Sequence, residues 1–272
     1  MDIDILDLAK LECDERREQL FKINKYDIYK LFIEERQNII DFFPIESNES
    51  VLEINSECGI ITSKLADKAK KVISVEANEL YCECAKEVNL DKKNIQFVNA
   101  NISEYIGRCE EKFDYIFIIN RSYEIFEGKI LKSAYDLLKK DGKLVITTNN
   151  KLGLKYWAGC QEDLNGGFFV GIEDYQLLNT DKRLYSKSQI EKFIRTNGIY
   201  NFIFMYPYPD YIFPTAIYSD ARLPRSGELD NNIRNFEGER YLLFDEKKVY
   251  DTIIEEELFP LYSNSYIIVI DR

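Results

Sequence analysis

The chain has 272 residues, 45% of them hydrophobic and 31% charged, which is enough apolar material for a sizeable core and an ordinary globular balance. No apolar run approaches the roughly 18 residues of a membrane span, so no membrane partner is expected. The formal charge of −12 sets the surface against phosphate backbones, so nucleic acid is not an expected partner either. Histidine is missing altogether, which excludes a histidine triad, a histidine-ligated metal and a histidine general base.

The start, Met1-Asp-Ile-Asp-Ile-Leu-Asp7, is acidic, whereas a secretory signal needs a basic start and a longer apolar stretch. A cytoplasmic protein is therefore expected. The cysteines (Cys13, Cys58, Cys82, Cys84, Cys109 and Cys160) fit reduced thiols. Cys82 and Cys84 point to different faces of a helix, so no metal site is expected.

Residues 1–45 read as a helical extension, with apolar residues at helical spacing in Ile28, Leu31, Phe32, Ile39 and Ile40. Pro44 and the polar stretch Glu46–Ser50 end it. A regular alternation follows. Strands are expected at Val51–Ile54, Lys71–Glu76, Asn94–Val98, Phe113–Ile119 and Lys143–Thr148. Helices are expected at Ile60–Lys70, Asn78–Asn89 and Lys129–Lys140, the last ended by the turn Asp141-Gly142. Further on, a helix over Ser186–Asn197 leads to a strand at Ile199–Met205. A helix over Asp245–Leu258 precedes a closing strand at Tyr266–Ile270.

Strands alternating with helices predict an α/β fold with a doubly wound, mostly parallel sheet. The expected sheet has seven strands, the last antiparallel. One domain is expected over 46–272, with insertions at about 149–185 and 206–240.

The sharpest pattern is Val51-Leu-Glu-Ile-Asn-Ser-Glu-Cys-Gly59, then a helix, then Val75-Glu76. A glycine-bearing turn after a strand lets backbone approach a ligand, and an acid about 20 residues on takes ribose hydroxyls. Glu76 lies 17 residues after Gly59, at the end of a strand.

In these residues the chain resembles the class I methyltransferases, whose first motif reads acid-x-Gly-x-Gly-x-Gly after a strand. The resemblance covers roughly residues 50–205 and implies a Rossmann-like sheet with S-adenosylmethionine as cofactor. It implies that Glu53 helps hold the methionyl end and that Gly59 is the last motif glycine. It also implies that Glu76 binds the ribose and that Asn101 contacts the adenine amino group. Phe113-Asp114 resembles the opening of the family's fourth strand, and Asp141-Gly142 the turn before its fifth. Asn55 and Glu57 replace two motif glycines, and Asn101 stands where aspartate is usual. Asn120 and Tyr123, after the fourth strand, are site candidates by position. There Asn120-Arg-Ser-Tyr123 lacks the two prolines of enzymes that methylate nucleobase or glutamine amino groups.

The distal part narrows the likeness. Asn150–Asp163, Gly171–Tyr175 and Tyr206–Thr215 are similar to bacterial methyltransferases associated with cell-surface glycan synthesis. That implies a small-molecule or glycan-precursor substrate methylated on oxygen or nitrogen.

In open α/β sheets ligands sit beyond the carboxyl ends of the strands, so Asn149–Tyr175 is the expected substrate side. Glu162 and Asp163 are the acids expected near the transferred methyl, with Glu173 and Asp174 close in sequence; ordinary solvated charges are the alternative. Tyr156, Trp157, Tyr206, Tyr208, Tyr211 and Phe213 fit either a stacking wall or a core. Two functional readings stay open. One is the methyltransferase. The other is a catalytically inactive, methyltransferase-like scaffold partner of a glycan-synthesis enzyme. A glycosyltransferase is disfavoured, because Asp-x-Asp occurs only as Asp2-Ile-Asp4, away from a strand end.

Overall fold

The computed structural model describes residues 4–119, 122–126, 129–230 and 240–272. In chain order the first elements are helices α1 (Ile5–Ala9), α2 (Cys13–Ile23) and α3 (Tyr26–Phe32), then a 3-10 stretch over Glu34–Phe42. Next come β1 (Ser50–Ile54), α4 (Ile60–Lys68), β2 (Lys71–Glu76), α5 (Glu79–Val88), β3 (Ile95–Asn99), α6 (Ile102–Arg108) and β4 (Phe113–Ile118). A 3-10 turn (Ser122–Phe126), α7 (Ile130–Asp136) and β5 (Leu138–Asn149) follow. The remainder comprises α8 (Leu154–Trp157), α9 (Lys187–Thr196), β6 (Phe202–Tyr208), β7 (Ala216–Ser219), α10 (Glu246–Glu255), α11 (Phe259–Tyr262) and β8 (Ser265–Asp271).

Among the described residues eight strands lie in the order β3-β2-β1-β4-β5-β8-β6-β7, in an α/β, Rossmann-like fold. This is one strand more than the seven expected. The addition is β7, which pairs antiparallel with β6 through Met205↔Ser219 and Tyr208↔Ala216. Its four residues lie in the insertion expected at about 206–240, too short a stretch for a period to show. The closing strand runs antiparallel to β5. The Arg272 amide at its end donates to Gly142 near the start of β5, and the Asn150 amide just past β5 donates to Asn264 just before β8.

The chain divides into two compact units. The first comprises Met1–Ser122, Gly128–Ile146 and Ile270–Arg272; the second comprises Tyr123–Glu127 and Thr147–Val269. In the first unit β3, β2, β1, β4 and β5 pair in parallel. Ile116, Phe117 and Ile118 are fully buried, which is why β4 reads as a near-continuous apolar run, and Val51 and Leu52 of β1 are fully buried beside it. The amino ends of the strands are tied by Asp114. It accepts from the Ser50 amide (2.7 Å), the Ser50 hydroxyl (2.9 Å) and Lys139 Nζ (2.7 Å). Burial works against ionisation there, but the Lys139 and Ser50 bonds outweigh it and hold the carboxyl below its ordinary range. The same contact explains why the helix expected over 129–140 stops at Asp136. Leu138 pairs with Phe113 and Lys139 reaches Asp114, so this stretch joins β5 with a register shift.

Residues 4–45 are built into the first unit. Leu8, Ala9, Leu20, Leu31 and Phe32 form one apolar cluster with Cys58 and Cys84, with Tyr81 and Val88 of α5 packed against it. The 3-10 stretch lies along α4, running the same way. Gln37 donates to Ile60 O (2.9 Å), Asp41 pairs with Lys64 (2.9 Å), and Lys68 donates to Ile40 O (3.2 Å) and Phe43 O (3.1 Å).

In the second unit, α9 opens on a capping box between Ser186 and Gln189. Its core is aromatic. The Tyr206 ring packs on Phe259 and Tyr266, and Tyr208 packs on Tyr250. Among the described residues no helix is long and apolar enough to cross a membrane. Among the same residues no cluster of three or more cysteine, aspartate or glutamate side chains is placed to hold a metal ion.

Candidate functional site

The strand order reverses after β1, which has β2 on one side and β4 on the other. That is the switch point at which open α/β sheets take ligands. The loop leaving β1 there alternates in hand. Asn55 (φ 57°), Glu57 (φ 49°) and Gly59 (φ 79°) are all left-handed, and these are the three glycine positions of the motif. The backbone thus keeps the shape that glycine ordinarily supplies, although two of the three residues carry side chains. Asparagine adopts this conformation readily, whereas for glutamate it costs about 1–2 kcal/mol.

Gly59 has no substitute. A Cβ there would lie 2.8 Å from Ala85 Cβ and 2.8 Å from Asn89 Nδ2, because α4 starts hard against α5. Asn89 completes the contact by donating to Gly59 O (3.0 Å) and Ala85 O (2.8 Å).

Glu76, at the end of β2, organises the loop from one side. Its Oε2 accepts from the Glu57 amide (2.9 Å) and its Oε1 from the Asn78 amide (2.8 Å). The carboxylate is buried. The end of β3 joins it: the Ala100 amide and Asn99 Nδ2 both donate to the Glu76 carbonyl (3.1 and 2.9 Å). Asn101 follows as the N-cap of α6, its side chain accepting from the Glu104 amide (2.8 Å). Glu53, Asn55, Gly59 and Glu76 are thus brought together, with Asn101 two residues beyond the strand partner of Glu76. Asn120 lies outside the described residues, as does the Tyr123 side chain.

Glu53 is buried on β1 and accepts from the Thr62 hydroxyl (2.5 Å). Burial pushes its carboxyl up to about 8, with the Thr62 bond and Arg36 opposing and Glu57 and Glu76 adding to the rise. A cationic group arriving beside it would reverse that shift.

Three contributors escape a sequence reading. Thr62 and Asn78 lie on helices or caps with no mark of a site, although Asn78 is legible as a helix cap. Arg36 comes from the 3-10 stretch, and its Nη1 pairs with Glu57 Oε2 at 2.7 Å with both side chains largely buried. Nothing in the spacing of residues 36 and 57 announces that pair.

The acids of the second unit are placed differently. Asp163 Oδ2 accepts from Asn149 Nδ2 (2.5 Å), Lys155 Nζ (2.7 Å) and the Tyr156 hydroxyl. The Lys155–Asp163 pair is almost wholly out of solvent. Burial first, then the charge of Asp163, pushes the Tyr156 phenol well above its ordinary range and keeps it a donor. Glu162 Oε2 accepts from the Leu164 amide (3.1 Å) and the Asn165 amide (2.7 Å), and its Oε1 from the Tyr175 hydroxyl (3.2 Å). Burial raises the Glu162 carboxyl, against the Asn165 bonds. Asp174 pairs with Lys151 (2.6 Å). Of the aromatic residues that fit either a wall or a core, Tyr156, Tyr206, Tyr208 and Phe213 are buried, Tyr211 is half-buried and Trp157 is exposed, so most of them are core.

Known proteins agree with the first unit's geometry. Residues 52–146 match the methyltransferase domain family. A ribosomal RNA small subunit methyltransferase A from Mycoplasmopsis synoviae (strain 53) is 33% identical over 98 residues, 35% of this chain and 36% of that protein. The chain therefore matches about a third of the length of that relative. Among solved structures, a chain of the complex between the Haloferax volcanii Trm112 methyltransferase activator and a methyltransferase superposes with a TM-score of 0.53. It is 12% identical, over 100% of this chain and 98% of that one. A SAM-dependent methyltransferase from Archaeoglobus fulgidus gives 0.52 at 14% identity, over 91% of this chain and 100% of that one. At these identities the structures speak for the fold. Over residues 52–146 the chain is thus similar to the methyltransferase domain family.

Proposed function

We propose that this chain moves the methyl group of S-adenosylmethionine to an oxygen or nitrogen atom of a small molecule or glycan precursor. The observation that carries the reading is the loop after β1, left-handed at all three motif positions and bonded to Glu76. The residues fit the cofactor. Glu76 accepts the Glu57 and Asn78 amides at the end of β2, where an acid that binds ribose hydroxyls belongs. Glu53 is the acid for the methionyl end, Asn101 serves the adenine side, and Asn120 stays a cofactor-site candidate by its position after β4.

The cofactor supplies a sulfonium-bound methyl whose positive charge vanishes on transfer. The protein's share is alignment and exclusion of water. With no histidine, an amine or carboxylate acceptor can react without a protein base, and a sugar hydroxyl must lose its proton to a carboxylate, phenol or solvent. Glu162 and Asp163 enter this reading as groups that position the segment after β5. A proton-accepting role for either requires its present donors to let go.

The glycan precursor rests on the likeness of residues 150–163, 171–175 and 206–215 to methyltransferases associated with surface-glycan synthesis. The charge of −12 weighs against a nucleic acid acceptor, although the matched relative is named for ribosomal RNA.

Calorimetric titration with S-adenosylmethionine and with its demethylated product is the first test, followed by methyl transfer to sugar-nucleotide and small amine acceptors. Binding of both cofactor forms is expected. No heat from either at millimolar ligand, with folded protein, would hand the chain to the scaffold reading.

A further inference from the structure

Glu57 occupies a glycine position in a loop that already gathers Glu53 and Glu76, so it brings a third carboxylate to a confined place. The Glu57 amide donates to Glu76, and both Glu57 and Glu76 raise the carboxyl of Glu53. Charges so close repel unless a proton or a cation meets them: burial keeps Glu53 protonated up to about pH 8, and Glu57 meets a cation. The cation present is Arg36, whose Nη1 reaches Glu57 Oε2 at 2.7 Å and the Lys30 carbonyl at 2.7 Å. Arg36 is itself 4% exposed, so its position is fixed by packing. It belongs to the 3-10 stretch, which is fastened along α4 through Gln37, Asp41 and the Ile40 and Phe43 carbonyls.

We propose that Arg36 is a positioning residue for the cofactor loop: it draws the Glu57 side chain to the N-terminal segment and so restores, with an ion pair, the loop shape that glycine gives elsewhere. The N-terminal segment is then a working part of the cofactor site. This rests on the reading that S-adenosylmethionine binds at that loop. Glu57 and Arg36 form one device: the acid is tolerable because the cation is there, and the cation is needed because the acid is there. A glycine at 57 removes the need for both.

The test is a cycle of Arg36→Gln, Glu57→Gly and the double variant, each titrated with S-adenosylmethionine and checked by thermal melting. Arg36→Gln should weaken binding at least about tenfold. Adding Glu57→Gly should restore it to within about threefold of the parent, a rescue that simple loss of packing at Arg36 would not give. Should Arg36→Gln fail to fold, the double variant decides alone: folded and binding like the parent supports the proposal, while folded and binding at least tenfold weaker overturns it. A double variant that also fails to fold overturns it too, because the need for Arg36 would then be independent of Glu57. Parent-like binding by Arg36→Gln overturns it, as does a double variant no better than Arg36→Gln. Absence of binding by the parent itself would count against the cofactor reading, a result readily told apart from these.

Discussion

The loop after β1 and the segment after β5 both follow strands, and both carry acids that stand out in the sequence, yet the two regions use them in opposite ways. After β1, Glu76 accepts two backbone amides and Glu57 is drawn to Arg36, so the acids fasten the bent loop. After β5, Asp163 is shared by an amide, an ammonium and a phenol, and Glu162 caps the turn at 164–165 and takes the Tyr175 hydroxyl. The difference teaches that acids near strand ends can shape a loop through its backbone amides in one region and be absorbed into a buried network of cation, amide and phenol in the other.

The largest expected effect lies after β5. Asp163→Ala removes the acceptor of three buried donors, and breaking a buried pair of this kind costs about 3–5 kcal/mol. Urea unfolding measures it. A variant as stable as the parent that has lost turnover would break the comparison, because Asp163 would then serve the chemistry. Next comes Gly59→Ala. A left-handed alanine costs about 1–2 kcal/mol and the overlap with Ala85 and Asn89 about 1–3 more. Stability should fall by about 3 kcal/mol and cofactor binding with it; unchanged stability would mean that α4 and α5 separate easily.

Glu76→Ala should weaken S-adenosylmethionine at least about tenfold, roughly 1.4 kcal/mol, with the fold retained. Calorimetry reads it, and parent-like affinity would take Glu76 out of the cofactor site.

Glu53 sharpens the comparison through pH. Its folded value of about 8 lies above that of an unfolded carboxyl, so folding favours the protonated form. That contribution is whole below about pH 4.5 and is lost as pH rises through about 8. Glu53→Gln should therefore flatten the fall in stability between pH 5 and 8 and leave the variant more stable than the parent at pH 8. Parallel stability curves for the two proteins would show Glu53 ionised throughout. Smallest of all is Asn55→Gly, which should change stability by less than about 1 kcal/mol and leave affinity equal or slightly higher. A large loss would mean that the Asn55 side chain itself holds the cofactor.

Much of this was legible before any coordinates. The strand–helix alternation over 50–149 follows from hydrophobic period and helix caps, and Asn78 and Ser186 stand where caps are seen. The loop, Gly59 and Glu76 were legible because a ligand turn at a strand end imposes fixed residue types at fixed spacing. The extra strand β7 was not, since four half-buried residues beside prolines carry no period.

The sequence by itself determined the α/β alternation, the place of the glycine-bearing turn after β1 and the acid across from it, because these depend on neighbours a few residues apart or on one βαβ spacing. Only the tertiary structure decided what became of the charges. Arg36 and Glu57 are 21 residues apart, and Asn149 and Asp163 are 14 apart. Such pairs form when packed elements bring distant side chains into one low-dielectric place, where a buried charge must find its partner wherever the chain supplies it.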